Sequence, residues 1–144
     1  MAYSGFNDLF FSMRLLYISL VAGVALVFYL SWIPNPQLGA LWFIPDWLAR
    51  WTDAHANEDL RTGVPFVFLG LCAGFWPSKK PRSLTGWLAA WELLVGVVII
   101  AEAGQLLLPN RSFSWSDVGW GAAGAFVGLT VAVILIGIRR RLRA

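Results

Sequence analysis

Apolar positions in this chain run together in long blocks separated by short polar breaks. The first block, Leu15 to Ile33, is long enough to cross a hydrocarbon core about 30 Å thick, and Trp32, Pro34 and Pro36 close it. No small-residue cleavage site ends it, so it reads as a retained span and not as a leader. Ahead of it, Phe6, Leu9, Phe10 and Met13 recur at helical spacing, which predicts a short interfacial helix over Met1 to Met13. Two further blocks, Leu84 to Leu108 and Asp117 to Ile138, predict two more spans. Between them and the first lies a shorter apolar block, Thr62 to Pro77, with Pro65 near its start. Proline in a first turn costs a helix little, because that N–H has no intrahelical partner anyway, so this block is predicted to span as well. The turn Pro77 to Arg82 then breaks the chain.

The segment Asn35 to Arg61 is too polar to span. Its first half, Leu38 to Trp51, sets Trp42, Phe43, Trp47 and Trp51 beside Asp46 and Arg50. It is expected to lie in the headgroup layer or to fold over the helix bundle. Its second half holds Asp53, His55, Asn57, Glu58, Asp59 and Arg61, the densest polar stretch of the chain.

Composition agrees with the block pattern. Charged residues make up 13% and apolar ones 58%, against about 25% and 45–50% in a soluble domain, and mean hydropathy is +0.66. A small globule has too little interior to hide that much apolar surface. The 9 Trp and 3 Tyr suit the borders of a bilayer, and the 14 Gly suit close helix approach. With Cys72 alone, neither an internal disulfide nor a cysteine zinc site is available.

The net charge of +3 reflects cations that flank the apolar blocks, the pattern of the positive-inside bias and not of nucleic-acid binding. Four spans put Arg14, the Lys79, Lys80 and Arg82 turn and the Arg139, Arg140, Arg141 and Arg143 block on one side. Of the 11 Lys and Arg, only Arg50, Arg61 and Arg111 are left for the other. Three spans would split the two basic blocks between the two sides. The expectation is therefore an all-α, polytopic membrane protein, a single domain over 1–144. It has four transmembrane helices (about 15–33, 62–77, 84–108 and 117–138), an aromatic interfacial segment between the first two, and cytoplasmic N- and C-termini.

Ionisable groups at membrane depth need a partner or a function. Glu92 and Glu102 lie ten positions apart, about 280° around a helix, so they do not share a face. Glu102 and Gln105 do, being three apart. Asp117, Gly121, Gly124 and Gly128 line one side of the last span, and a glycine face of this kind brings a neighbour close. It is expected to pack on the third span near Glu102 and Gln105, with Arg111 in reach of Glu102 or Asp117. Trp115 reads as interfacial and Ser116 as a helix cap. Such a cluster serves equally as a staple between helices or as a ligand site. His55 is the only histidine and lies in a polar loop, so no metal site and no cofactor are implied. There is no nucleophile elbow, phosphate-cradling glycine loop or zinc-protease histidine pair.

The stretch from Ala101 to Asp117, with Glu102 and Gln105 three apart, then Pro109, Arg111 and Asp117 leading into the Gly121, Gly124 and Gly128 face, resembles the signature of the VanZ-like membrane protein family. The resemblance covers the last third of the chain. Asp53-x-His55, followed by Arg61 and Pro65, is only a loose counterpart of the Lys-x-x-His element the family carries before its second span. The resemblance implies a small multi-pass protein of the bacterial cell membrane, linked to lowered susceptibility to glycopeptide antibiotics such as teicoplanin.

Three functions fit these residues. One is an outward-facing pocket of Glu102, Gln105, Arg111 and Asp117, covered by the His55 loop, that binds a lipid headgroup or a lipid-linked wall precursor. Another is an enzyme on such a lipid, with Glu102 or Asp117 as base and His55 as partner. The third is a packing subunit, as a homo-oligomer or within a larger membrane complex.

Overall fold

The computed structural model describes residues 3–35, 37–76, 83–109 and 111–142, the side chains of 3–12, 56, 58 and 59 excepted. The expected turn Pro77 to Arg82, with Lys79 and Lys80, lies outside the described residues, as does Arg143. The chain is all-α, with helices α1 (Tyr3–Ser31), α2 (Asp46–Thr52), α3 (Glu58–Gly74), α4 (Leu84–Gln105) and α5 (Trp115–Arg141). Among the described residues, three stretches are long and apolar enough to cross a membrane: Met13–Ser31 in α1, α4 and α5. The protein is thus a polytopic membrane protein. The remaining expected span, α3, is apolar over the shorter stretch Leu60–Gly74.

α1 is one helix from Tyr3 onward, so the separate interfacial helix expected over Met1 to Met13 does not form from Tyr3 on. No glycine or proline stands between Met13 and Leu15 to break it, and a nucleated helix propagates at little further cost. α3 begins at Glu58, so Pro65 lies inside the helix and not in its first turn. Having no N–H, Pro65 offers no hydrogen bond to the Arg61 carbonyl four residues back. α4 ends at Gln105, with Leu106 to Leu108 in tightening turns onto Ala103, Gly104 and Gln105. α5 begins at Trp115, capped by Ser114, whose Oγ accepts from the Asp117 N–H at 3.2 Å. The capping serine is therefore Ser114 and not Ser116, which sits within the helix.

Side-chain and backbone contacts fix the helix directions. Gly63 meets Gly124 and Gly70 meets Gly128 on α5, so α3 and α5 run parallel with backbones nearly touching. This corrects the expected partner of the glycine face: Gly124 and Gly128 pack on α3, and only Gly121 faces α4, at Val98. α4 runs antiparallel to α5, with Trp87 edge-on to Phe126 and the Trp91 Nε1–H donating to the Ala122 oxygen at 2.9 Å. α1 runs antiparallel to α3, Tyr17 lying near Trp76 and Gly23 against Leu69. The core between these helices is Phe66, Leu69, Leu94, Val98, Val118, Ala125 and Leu129.

These directions bring the C-terminal ends of α1 and α4 and the N-terminal ends of α3 and α5 to one end of the bundle. The aromatic segment folds over that end. It forms a 3-10 turn, Leu38–Ala40, and then α2, and Asp53 ties the two together by accepting from the Leu38 and Gly39 N–H groups, both at 2.9 Å. Trp42 and Trp47 stay exposed, while Trp51 turns partly inward.

Candidate functional site

Where the four helix ends meet, the bundle encloses a cavity of about 720 Å³. Glu102, Gln105, Arg111 and Asp117, four of the five residues singled out by sequence, all line it. Glu102 and Gln105 are buried, at 3% and 8% exposure. Being three apart on α4, they meet as expected: the Gln105 Nε2–H donates to Glu102 Oε1 at 2.9 Å. The other oxygen, Oε2, accepts from the Ser114 N–H at 3.2 Å. A carboxylate at helix depth is thereby matched on both oxygens, and it anchors the residue that caps α5. Glu92, in contrast, is exposed on the outer side of α4, away from this cluster.

Arg111 reaches in from the loop before α5. One guanidinium nitrogen, Nη2, donates to the Ser31 oxygen at 3.0 Å, so a cation sits at the C-terminal end of α1, where the helix dipole favours it. Its Nε–H is buried without a hydrogen-bond acceptor. Its charge interacts with those of Glu102 and Asp117, and also with that of Arg61. Burial first, and the Arg61 charge second, pull the Arg111 pKa below the ordinary arginine value. From so high a starting point the group stays cationic.

Arg61 was not among the residues singled out by sequence, yet it lines the same cavity. The signal was present: charge counting put Arg61 and Arg111 on one side of the membrane, and a cation just ahead of an apolar helix whose end abuts that loop is a candidate for the site. His55 is exposed in a 3-10 turn, His55–Asn57, and is not among the residues lining the cavity. Its neighbour Asp53 is engaged with backbone N–H groups. Among the described residues, no group of three or more His, Cys, Asp or Glu is placed to hold a metal ion.

Most of the remaining cavity lining is apolar. Leu26, Val27 and Leu30 of α1 face Val64, Phe68 and Leu69 of α3, and Leu48 and Trp51 of the α2 segment roof it. It is thus two-ended, with charged and amide groups at the helix termini and a hydrocarbon-like trough below. Such a shape accommodates an amphiphile with a polar head and an apolar chain. His55, the partner expected for acid–base chemistry at Glu102 or Asp117, does not line the cavity.

No family model, no curated protein and no solved structure matched this chain.

Proposed function

We propose that this chain is a VanZ-like protein of the bacterial cell membrane that binds the headgroup of a membrane lipid or a lipid-linked wall precursor. In this reading N- and C-termini are cytoplasmic, α3 is the second of four spans, and the charged cavity opens on the outer side. The family resemblance extends the proposal to lowered glycopeptide susceptibility, including to teicoplanin.

The observation that carries the proposal is the coincidence of Arg111, Arg61, Glu102, Gln105 and Asp117 at one end of a largely apolar cavity. Arginine suits phosphate or carboxylate because its planar fork forms paired, charge-assisted hydrogen bonds. A water-soluble ligand has no use for the apolar trough, and a purely apolar one makes no use of the charged end. The parallel run of α3 beside α5 supports four spans, since two helices separated by one complete crossing point the same way. The outward assignment follows from the distribution of Lys and Arg.

The experiment is lipid co-purification followed by native mass spectrometry on the wild type, Arg111→Ala and Glu102→Gln. The expected result is a phospholipid or lipid-linked precursor on the wild type, lost in both variants while they remain folded. Wild type without bound lipid, or variants that retain it in full, would refute the proposal and leave the cluster a staple between helices.

A further inference from the structure

The glycine face of α5 is used up inside the bundle, whereas α4 carries a strip of small residues on the side opposite its buried face. The buried side of α4 is Leu94, Val98, Ala101, Glu102 and Gln105. On the other side Ala89, Gly96 and Ala103 recur every seven positions. Ala89 and Ala103 are exposed, and a methyl added to Gly96 meets nothing within 4 Å. Between them, at alternating steps of three and four, stand Glu92, Ile99 and Leu106, exposed as well. The strip is a heptad seam, small at one position of each repeat and larger at the other. An acyl chain fits any apolar face and needs no such period. A seven-residue repeat is what holds one helix against another along its length. From Ala89 to Leu106 the seam runs about 26 Å at 1.5 Å per residue, most of the thickness of a hydrocarbon core.

Glu92 is the second observation. It lies about 12 Å along a helix that is one of the membrane spans. Its side chain is exposed and has no hydrogen bond or ion pair with any described residue. An acid at that depth, turned towards lipid, is costly without a partner. The helices of its own chain pack on the opposite side of α4, so the partner comes from outside the chain.

The seam fits a second copy of itself. Copies of one protein insert in one orientation, so a second α4 lies parallel, and a two-fold axis beside the helix sets each seam position against its own equivalent. Ala89, Gly96 and Ala103 then let the backbones approach closely, as small residues do between membrane helices. Glu92 meets its equivalent in the second copy. Two bare carboxylates at that distance repel, and a proton held between them replaces the repulsion with a hydrogen bond. One polar residue in a seam also fixes register, because a slip by one repeat sets Glu92 against Ile99. A foreign helix would have to supply both the repeat and a hydrogen-bonding group at this depth; a second copy carries both.

We infer that the protein pairs with a second copy of itself along the Ala89, Gly96 and Ala103 face of α4, with Glu92 hydrogen-bonded across the axis. The cavity is lined from the opposite side of α4 by Val98, Ala101, Glu102 and Gln105, so pairing leaves it free in both copies. The inference is independent of what the cavity binds.

The test is energy transfer between donor-labelled and acceptor-labelled copies of the full chain in phosphatidylcholine vesicles, over a series of protein-to-lipid ratios. Circular dichroism checks that each variant keeps its helices. The wild type is expected to pair. Glu92→Leu is expected to weaken pairing about tenfold, the scale of one interhelical hydrogen bond. Glu92→Gln should retain most of it, since two amides can bond across the axis. Gly96→Leu is expected to weaken pairing by a similar factor, whereas Gly96→Ala, which matches Ala89 and Ala103, leaves it intact. Gly137→Leu, at an equally open glycine of α5, is the control and should pair as the wild type does. If Gly96→Leu loses its helices, oxidative cross-linking in vesicles decides. Ile99→Cys, in the seam, is expected to form disulfides between copies, and Ile134→Cys, exposed on α5, is not. A wild type that stays monomeric at every ratio, or that pairs only with a different membrane protein, would overturn the inference. Gly96→Leu pairing as well as the wild type, or Ile134→Cys cross-linking as strongly as Ile99→Cys, would overturn the α4 seam. Glu92→Leu pairing as well as the wild type would overturn the hydrogen bond across the axis.

Discussion

Arg111 donates through Nη2 to the main-chain oxygen of Ser31 at 3.0 Å, joining the loop before α5 to the last turn of α1 across 80 positions of sequence. One side chain therefore both closes a helix end and presents charge to the cavity. Arg111→Ala is expected to lower stability by about 1.5–3 kcal/mol, the range for a hydrogen bond to a charged group. Arg111→Lys should recover part of that loss, since an ammonium can still approach a helix C-terminus without the planar fork. Thermal unfolding in detergent measures both, and an Arg111→Ala protein as stable as wild type would exclude the cap role.

Glu102 is the acceptor on which two donors depend. Glu102→Ala leaves the Gln105 amide and the Ser114 N–H without their partner and is expected to cost about 2–4 kcal/mol. Glu102→Gln should cost less, because one amide oxygen can still accept. Equal losses in the two variants, measured by chemical unfolding, would mean that the packing of the side chain matters and its oxygens do not.

The α3–α5 contact is tested by contrast between glycines. A methyl on Gly124 would collide with the Gly63 carbonyl oxygen, and one on Gly128 with the Val67 carbonyl oxygen. Backbone cannot yield as a side chain tip does, so Gly124→Ala and Gly128→Ala are expected to prevent stable folding. Gly96 and Gly137 have nothing within 4 Å of an added methyl. Alanine there should be neutral or stabilising by up to about 1 kcal/mol, the helix-propensity difference. Yield of monodisperse protein and unfolding temperature separate the two pairs.

Trp32 provides a smaller test at the same end of the bundle. Its Nε1–H donates to the Ala101 oxygen at 3.2 Å, and its ring covers Gly104. Trp32→Phe is expected to cost about 1 kcal/mol for the lost hydrogen bond. Gly104→Ala, which drives a methyl into the indole, should cost more. The reverse order in thermal unfolding would show that the indole is not seated on α4.

The membrane class, the three long spans and the cluster at the end of α4 were legible in the sequence because each rests on a local property. Apolar run length marks a span, and a three-residue spacing puts Glu102 and Gln105 on one face. The partner of the Gly124 and Gly128 face was not legible. Small residues announce a close approach without naming which helix approaches, and proximity in sequence favoured the span carrying Glu102. The complementary signal was Gly63, Gly70 and Gly74 on α3, which present a matching bare strip. Arg61 was missed because its role depends on that same pairing, which draws the start of α3 to the start of α5. His55 was grouped with the site for its polar neighbourhood, but Asp53 and its surroundings organise the 3-10 turn and α2. Pro65 shows a further limit: a proline near an apolar boundary does not reveal how far the helix extends ahead of it.

The most direct test of the account is photo-crosslinking of the full chain, in vesicles, to a phospholipid with a diazirine in its chain, followed by mapping of the adducts by mass spectrometry. The expected adducts fall on Leu26, Val64 and Phe68 and disappear in Arg111→Ala. Adducts spread evenly over other exposed apolar residues such as Leu93 and Ile134, or an unchanged pattern in Arg111→Ala, would contradict it.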